Sequence, residues 1–74
     1  MARVESLKLR LIERPSKHGK VEGTYSVVEV DGEKMLQIDT YGASDRQIPG
    51  KISQSLQFGK EGIQTLRNLL EEFD

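Results

Sequence analysis

The sequence predicts an α+β domain: a four-stranded antiparallel sheet followed by one C-terminal amphipathic helix packed on one face. Three observations predict it. Apolar and polar residues alternate over residues 4–12 and 51–58, the two-residue period that sends successive side chains to opposite faces of a strand, and residues 23–30 and 33–41 are rich in the β-branched and aromatic residues of strands. Asp31-Gly32 sits between the two middle stretches as a dipeptide suited to the positive φ values of a type I′ turn. After Gly59 the apolar spacing changes to three and four residues, the period of one helix face.

The first stretch, residues 4–12, places Leu7, Leu9 and Leu11 on one face and Lys8 and Arg10 on the other. Arg14-Pro15-Ser16-Lys17-His18-Gly19-Lys20 then reads as an exposed basic loop, because proline and glycine interrupt a ladder. In the hairpin a two-residue turn fixes register. It pairs Val30 with Glu33, Glu29 with Lys34, Val28 with Met35, Val27 with Leu36, Ser26 with Gln37 and Tyr25 with Ile38. Tyr25, Val27, Leu36 and Ile38 then share an expected core face, whereas Ser26, Val28, Met35, Gln37, Asp39 and an outward Tyr41 share the other.

Residues 42–50 hold two glycines and a proline without a sustained period and read as a long connection, a frequent place for binding residues. The last strand, residues 51–58, groups Ile52, Leu56 and Phe58 as core and turns Lys51, Ser53, Ser55 and Gln57 outward. The helix, residues 60–73, carries the stripe Ile63, Leu66, Leu70 and Phe73. Gly62 weakens its first turn, since glycine costs up to about 1 kcal/mol against alanine. Residues 1–74 make a single domain, with no repeat or low-complexity segment.

At 74 residues a domain buries a modest fraction of its surface and needs a further source of stability. The chain has no cysteine and one histidine, which removes disulfides and leaves no ligand spacing for a structural zinc. Self-association remains, with the stripe Ile63, Leu66, Leu70 and Phe73 in the core or the interface. No apolar run reaches the roughly 20 residues of a membrane span, and the start lacks the pattern of a signal peptide, so the expected localisation is cytoplasmic.

The chemistry of the chain points away from catalysis. There is no cysteine nucleophile, the serines belong to no nucleophile elbow, and His18 lies in the basic loop. Asp39, Asp45 and His18 lack the spacing of a metal site. Gly59-Lys60-Glu61-Gly62 and Ile48-Pro49-Gly50-Lys51 do not match a phosphate-binding glycine loop. The expectation is a non-enzymatic protein without metal or cofactor.

Charge is distributed unevenly. Residues 1–20 hold six cations against Glu5 and Glu13, whereas residues 21–74 hold five cations against ten carboxylates. A cationic track with hydroxyls, amides and an aromatic ring suits single-stranded nucleic acid, where cations meet phosphates and a ring stacks on a base. The candidate binding residues are Lys8, Arg10, Arg14, Lys17, Lys20, Tyr41, Arg46 and Lys51. The alternative is a small protein-interaction module, of a phage or regulatory kind, that uses the mixed sheet face or the 42–50 connection. The near-neutral net charge of −1 favours that second class.

Four strands before one helix, with Ile38-Asp39-Thr40-Tyr41, Pro49-Gly50-Lys51, Ser55-Leu56 and Leu66, resemble the positive-cofactor-four family of transcriptional coactivators over about residues 24–70. The resemblance implies a homodimer whose helices help form the interface and whose sheets present basic and aromatic residues to single-stranded DNA. It places Tyr41 and Lys51 on family binding positions. The other candidate cations rest on strand geometry and loop charge alone.

Overall fold

The hairpin organises everything else in the fold. In a computed structural model, which describes residues 1–42 and 51–74, β2 (Gly23–Val30) and β3 (Glu33–Tyr41) pair antiparallel. Asp31 and Gly32 both take positive φ, 52° and 78°, the pair of left-handed residues a type I′ turn requires. The pairing from Val30–Glu33 to Tyr25–Ile38 is the one that the turn dictates, and it continues to Gly23–Thr40. Most of the connection read over residues 42–50, with Arg46 in it, lies outside the described residues.

Strand β4 (Ile52–Phe58) pairs antiparallel with the other side of β3, and β1 (Ala2–Val4) pairs with β4. The sheet order is β1-β4-β3-β2. Two expectations change here. The β1–β4 pairing is parallel, so the sheet is mixed, with antiparallel pairing elsewhere. The first strand stops at Val4 instead of running to residue 12, and residues 5–22 belong to no strand or helix. A parallel β1 points past the end of β4 at Phe58, so its continuation runs beyond the ladder and has no neighbour to pair with.

Helix α1 (Lys60–Leu69) follows β4 after Gly59 and ends in a 3-10 turn over Leu70–Phe73. Glu61 in its first turn and Arg67 in its last both complement the helix dipole. Gly62 is buried, and a Cβ there would lie 3.4 Å from the Phe58 ring and 3.5 Å from the carbonyl oxygen of Val4. Those are ordinary contact distances, so the helix seats on the sheet with room at Gly62 for a methyl group and no more. Phe58 pairs with Leu36 and with Val4, so it shares a face with Leu36 and Ile38, and Gly62 packs beside its ring.

That face is only partly covered. Phe58 is its buried apolar side chain among the described residues; the other buried apolar side chain, Met35, lies by register on the opposite face with Gln37 and Asp39. Leu36 and Ile38 are half-buried, while Tyr25 is 80 %, Val27 66 % and Leu56 40 % exposed, so of the expected core face only Phe58 is buried, and Met35, expected on the outward mixed face, is buried as well. Phe73, at the far end of the helical stripe, is also exposed. The molecule presents 7077 Å² of surface, where a monomer of 8.4 kDa should present roughly 4,600 Å². Its radius of gyration of 14.4 Å likewise exceeds the roughly 11 Å of a compact chain of this length.

Candidate nucleic-acid interface

The opposite face of the sheet carries the buried Met35 and, beyond it, a polar row whose order follows from strand register. Gln37 and Asp39 alternate with Leu36 and Ile38 on β3, so they point away from Phe58. Gln37 stands opposite Gln57, and Asp39 opposite Ser55. Asp39 is only 6 % exposed, a placement that is costly for a carboxylate unless donors surround it. The donors are present. Gln37 Nε2 donates to both Asp39 oxygens at 3.1 and 3.2 Å, and Ser55 Oγ donates to Oδ1. Gln57 Nε2 in turn donates to Gln37 Oε1 at 2.9 Å. Among the described residues no buried side-chain nitrogen or oxygen lacks a partner.

A bulge closes one end of this row. The pairing steps from Thr40–Gln54 to Tyr41–Ile52, which leaves Ser53 as an extra residue on β4. The bulge resets the alternation, so Ile52 joins the face of Tyr41 instead of the face of Leu56 and Phe58 expected from the sequence. Tyr41 is half-buried, and its hydroxyl lies 3.1 Å from Thr24 Oγ1 on β2. It is held along the sheet more than the outward placement read from the sequence implies. At the other side of the row, Arg3 on β1 joins Gln37, Ser55 and Gln57 in lining an open depression of ≈ 390 Å³.

The cations named from the sequence lie elsewhere. Lys8, Arg10, Arg14, Lys17 and Lys20 are all exposed on the segment between β1 and β2. Lys8 and Arg10 therefore do not stand in a strand beside the polar row. Lys51 is exposed immediately before β4, close in sequence to the bulge, and Arg46 lies outside the described residues. The ladder thus brings Tyr41 together with the amide and hydroxyl groups, while the basic residues form a separate arm.

Sequence reasoning named Gln37, Ser55 and Gln57 as outward groups but missed Asp39 as their organiser and Arg3 as their neighbour. The hairpin register carried part of the signal, because it extends to place Thr24 opposite Asp39. The β3–β4 register, which brings Ser55 to Asp39, follows a long connection whose length fixes no pairing. Among the described residues no cluster of metal-ligating side chains occurs, and no helix is long and apolar enough to cross a membrane. No family model, curated protein or solved structure matches this chain.

Proposed function

We propose that this protein is a non-enzymatic single-stranded nucleic-acid binder that acts as a homodimer, with a role in transcription or another DNA transaction. One observation carries the reading: residues 6–21 hold Lys8, Arg10, Arg14, Lys17 and Lys20 against the single carboxylate Glu13, on an exposed arm free of secondary structure. Such an arm can follow a flexible phosphate backbone, and its cations release counterions on binding. The polar face supplies the complementary chemistry. Its amides and hydroxyls can exchange hydrogen bonds with base edges, and Tyr41 offers a ring at the margin. Arg46 and Lys51 add cations at the approach to β4.

Asp39 divides the labour between the two regions. A buried, fully hydrogen-bonded carboxylate repels phosphates, so the backbone is held by the arm, and unpaired bases meet the sheet. The homodimer is supported by the surface excess and by the exposed apolar residues Tyr25, Val27, Leu70 and Phe73.

The test is a fluorescence-polarisation titration with a labelled oligo-dT of about 20 nucleotides at two salt concentrations, with duplex DNA as competitor. If all five arm cations contact phosphate, the affinity falls with a log–log salt slope near −3.5 per arm. The expected result is salt-sensitive binding that duplex competes for poorly. An absence of binding at low salt removes the nucleic-acid reading.

A further inference from the structure

The arm between β1 and β2 carries a strand pattern without a strand. Leu7, Leu9 and Leu11 alternate with Lys8 and Arg10, yet Leu9 is 90 % and Leu11 84 % exposed and only Leu7 is half-buried. At the far side of the sheet, β2 is an edge whose eight residues, GTYSVVEV, include no proline and one charge, Glu29. Natural edges of this length are usually blunted by lysine, proline or a covering segment. Here no strand among the described residues pairs with that edge, and Tyr25 and Val27 on β2 are exposed.

The two unsatisfied features fit each other, but the first half of the arm cannot reach the edge within its own chain. Val4 is paired with Phe58 at the opposite side of the sheet. A strand added outside β2 would stand four strand spacings from β1, about 19 Å away. Leu7 is three residues beyond Val4 and reaches at most about 11 Å, and Leu9 reaches about 18 Å only if fully stretched. Leu7 and Leu9 therefore cannot lie along their own β2 while β1 keeps its place.

We infer that the segment Leu7–Ile12 of one copy adds as a strand to the β2 edge of a second copy, with Leu7, Leu9 and Leu11 covering Tyr25 and Val27. Charge supports this occupant: the arm is basic, and Glu22, Glu29 and Asp31 flank or lie on β2. Area supports it as well. The surface exceeds that of a monomer of this mass by about 2,500 Å², whereas a standard interface takes about 800 Å² from each partner. With the leucines on the apolar face, alternation sends Lys8 and Arg10 to the polar face of the partner, beside Ser26. The inference takes up the homodimer of the proposed function and says how each copy would complete the other's site.

Sedimentation equilibrium without nucleic acid tests it on the full chain. The expected wild-type mass is twice 8.4 kDa, and the double variant Leu9→Ser/Leu11→Ser should sediment as a monomer with an unchanged far-ultraviolet spectrum. A second measurement exploits the absence of native cysteine. Chains bearing Leu9→Cys, mixed separately with chains bearing Tyr25→Cys or Val27→Cys, should form an interchain disulfide with at least one of them. A monomeric wild type, a double variant that stays dimeric, or Val27→Cys chains that link only to each other would overturn the arm exchange. A dimer that passes both tests but ignores oligo-dT would refute the nucleic-acid reading alone.

Discussion

Residues 4–12, by their alternation, and residues 23–41, by their β-branched and aromatic content, both read as strands, yet only the second stretch forms the ladder that it predicts. The difference lies in where each finds a partner. The hairpin has Asp31-Gly32 at its centre, so each half meets the other at once through a turn whose geometry fixes the register. The first stretch has no turn of that kind. It touches the sheet only at Val4, the last residue of the three-residue β1 parallel to β4, and then runs past the ladder's end. Periodicity states which face a strand would bury, and pairing decides whether there is a strand at all.

The sharpest way to break the comparison is to put proline into both stretches. β3 is flanked by β2 and β4, so a proline at Leu36→Pro removes a backbone donor from the centre of the sheet. A core of this size supplies roughly 3–5 kcal/mol, and the expected result is loss of the cooperative thermal transition. A Leu36→Pro protein that still melts cooperatively would mean that the hairpin is not the organising element.

Next in size is Asp39→Ala. It takes the acceptor from Gln37 and Ser55, and donors left without a partner in a buried site cost about 1–3 kcal/mol. Denaturant unfolding measures it, and Asp39→Asn should recover part of the loss because an amide oxygen still accepts. If Asp39→Ala is neutral, the polar row does not hold β3 to β4. Smaller again is Gly32→Ala, which forces a Cβ onto a residue at φ 78° and should cost about 1 kcal/mol. Gly62→Ala runs the other way. The added methyl meets Phe58 and Val4 at ordinary contact distance, so the gain in helix propensity should show as stabilisation of up to about 1 kcal/mol. Gly62→Leu should destabilise, since the space ends at the Cβ.

These variants also mark what the sequence made legible. The hairpin's limits and register, the helix start at Lys60 and the half-buried Leu36 and Ile38 could be read because each depends on neighbours within a few residues or on a single turn. The parallel β1, the bulge at Ser53 and the Asp39 network could not. Each joins segments more than ten residues apart, and alternation alone carries no information about which strand lies alongside. The same limit explains Tyr25 and Val27. Alternation assigned them correctly to the face of Leu36 and Ile38, but coverage of that face depends on how far one ten-residue helix reaches across it.

The smallest expected effect is the most informative, because it is an effect that should vanish under one condition and return under another. Leu9→Pro lies in the arm, where the chain has no ladder of its own, so at a dilution where the protein sediments as a monomer its melting temperature should match that of the wild type. At higher concentration the wild type gains stability by mass action if the arm pairs with a second copy. The proline variant should not, and a deficit of about 1 kcal/mol would separate the two melts by about 4–8 °C. Equal melting curves at every concentration would show that the leucines of the arm pair with nothing. A deficit at high dilution, comparable to that of Leu36→Pro, would show instead that residues 7–12 form a strand within their own chain.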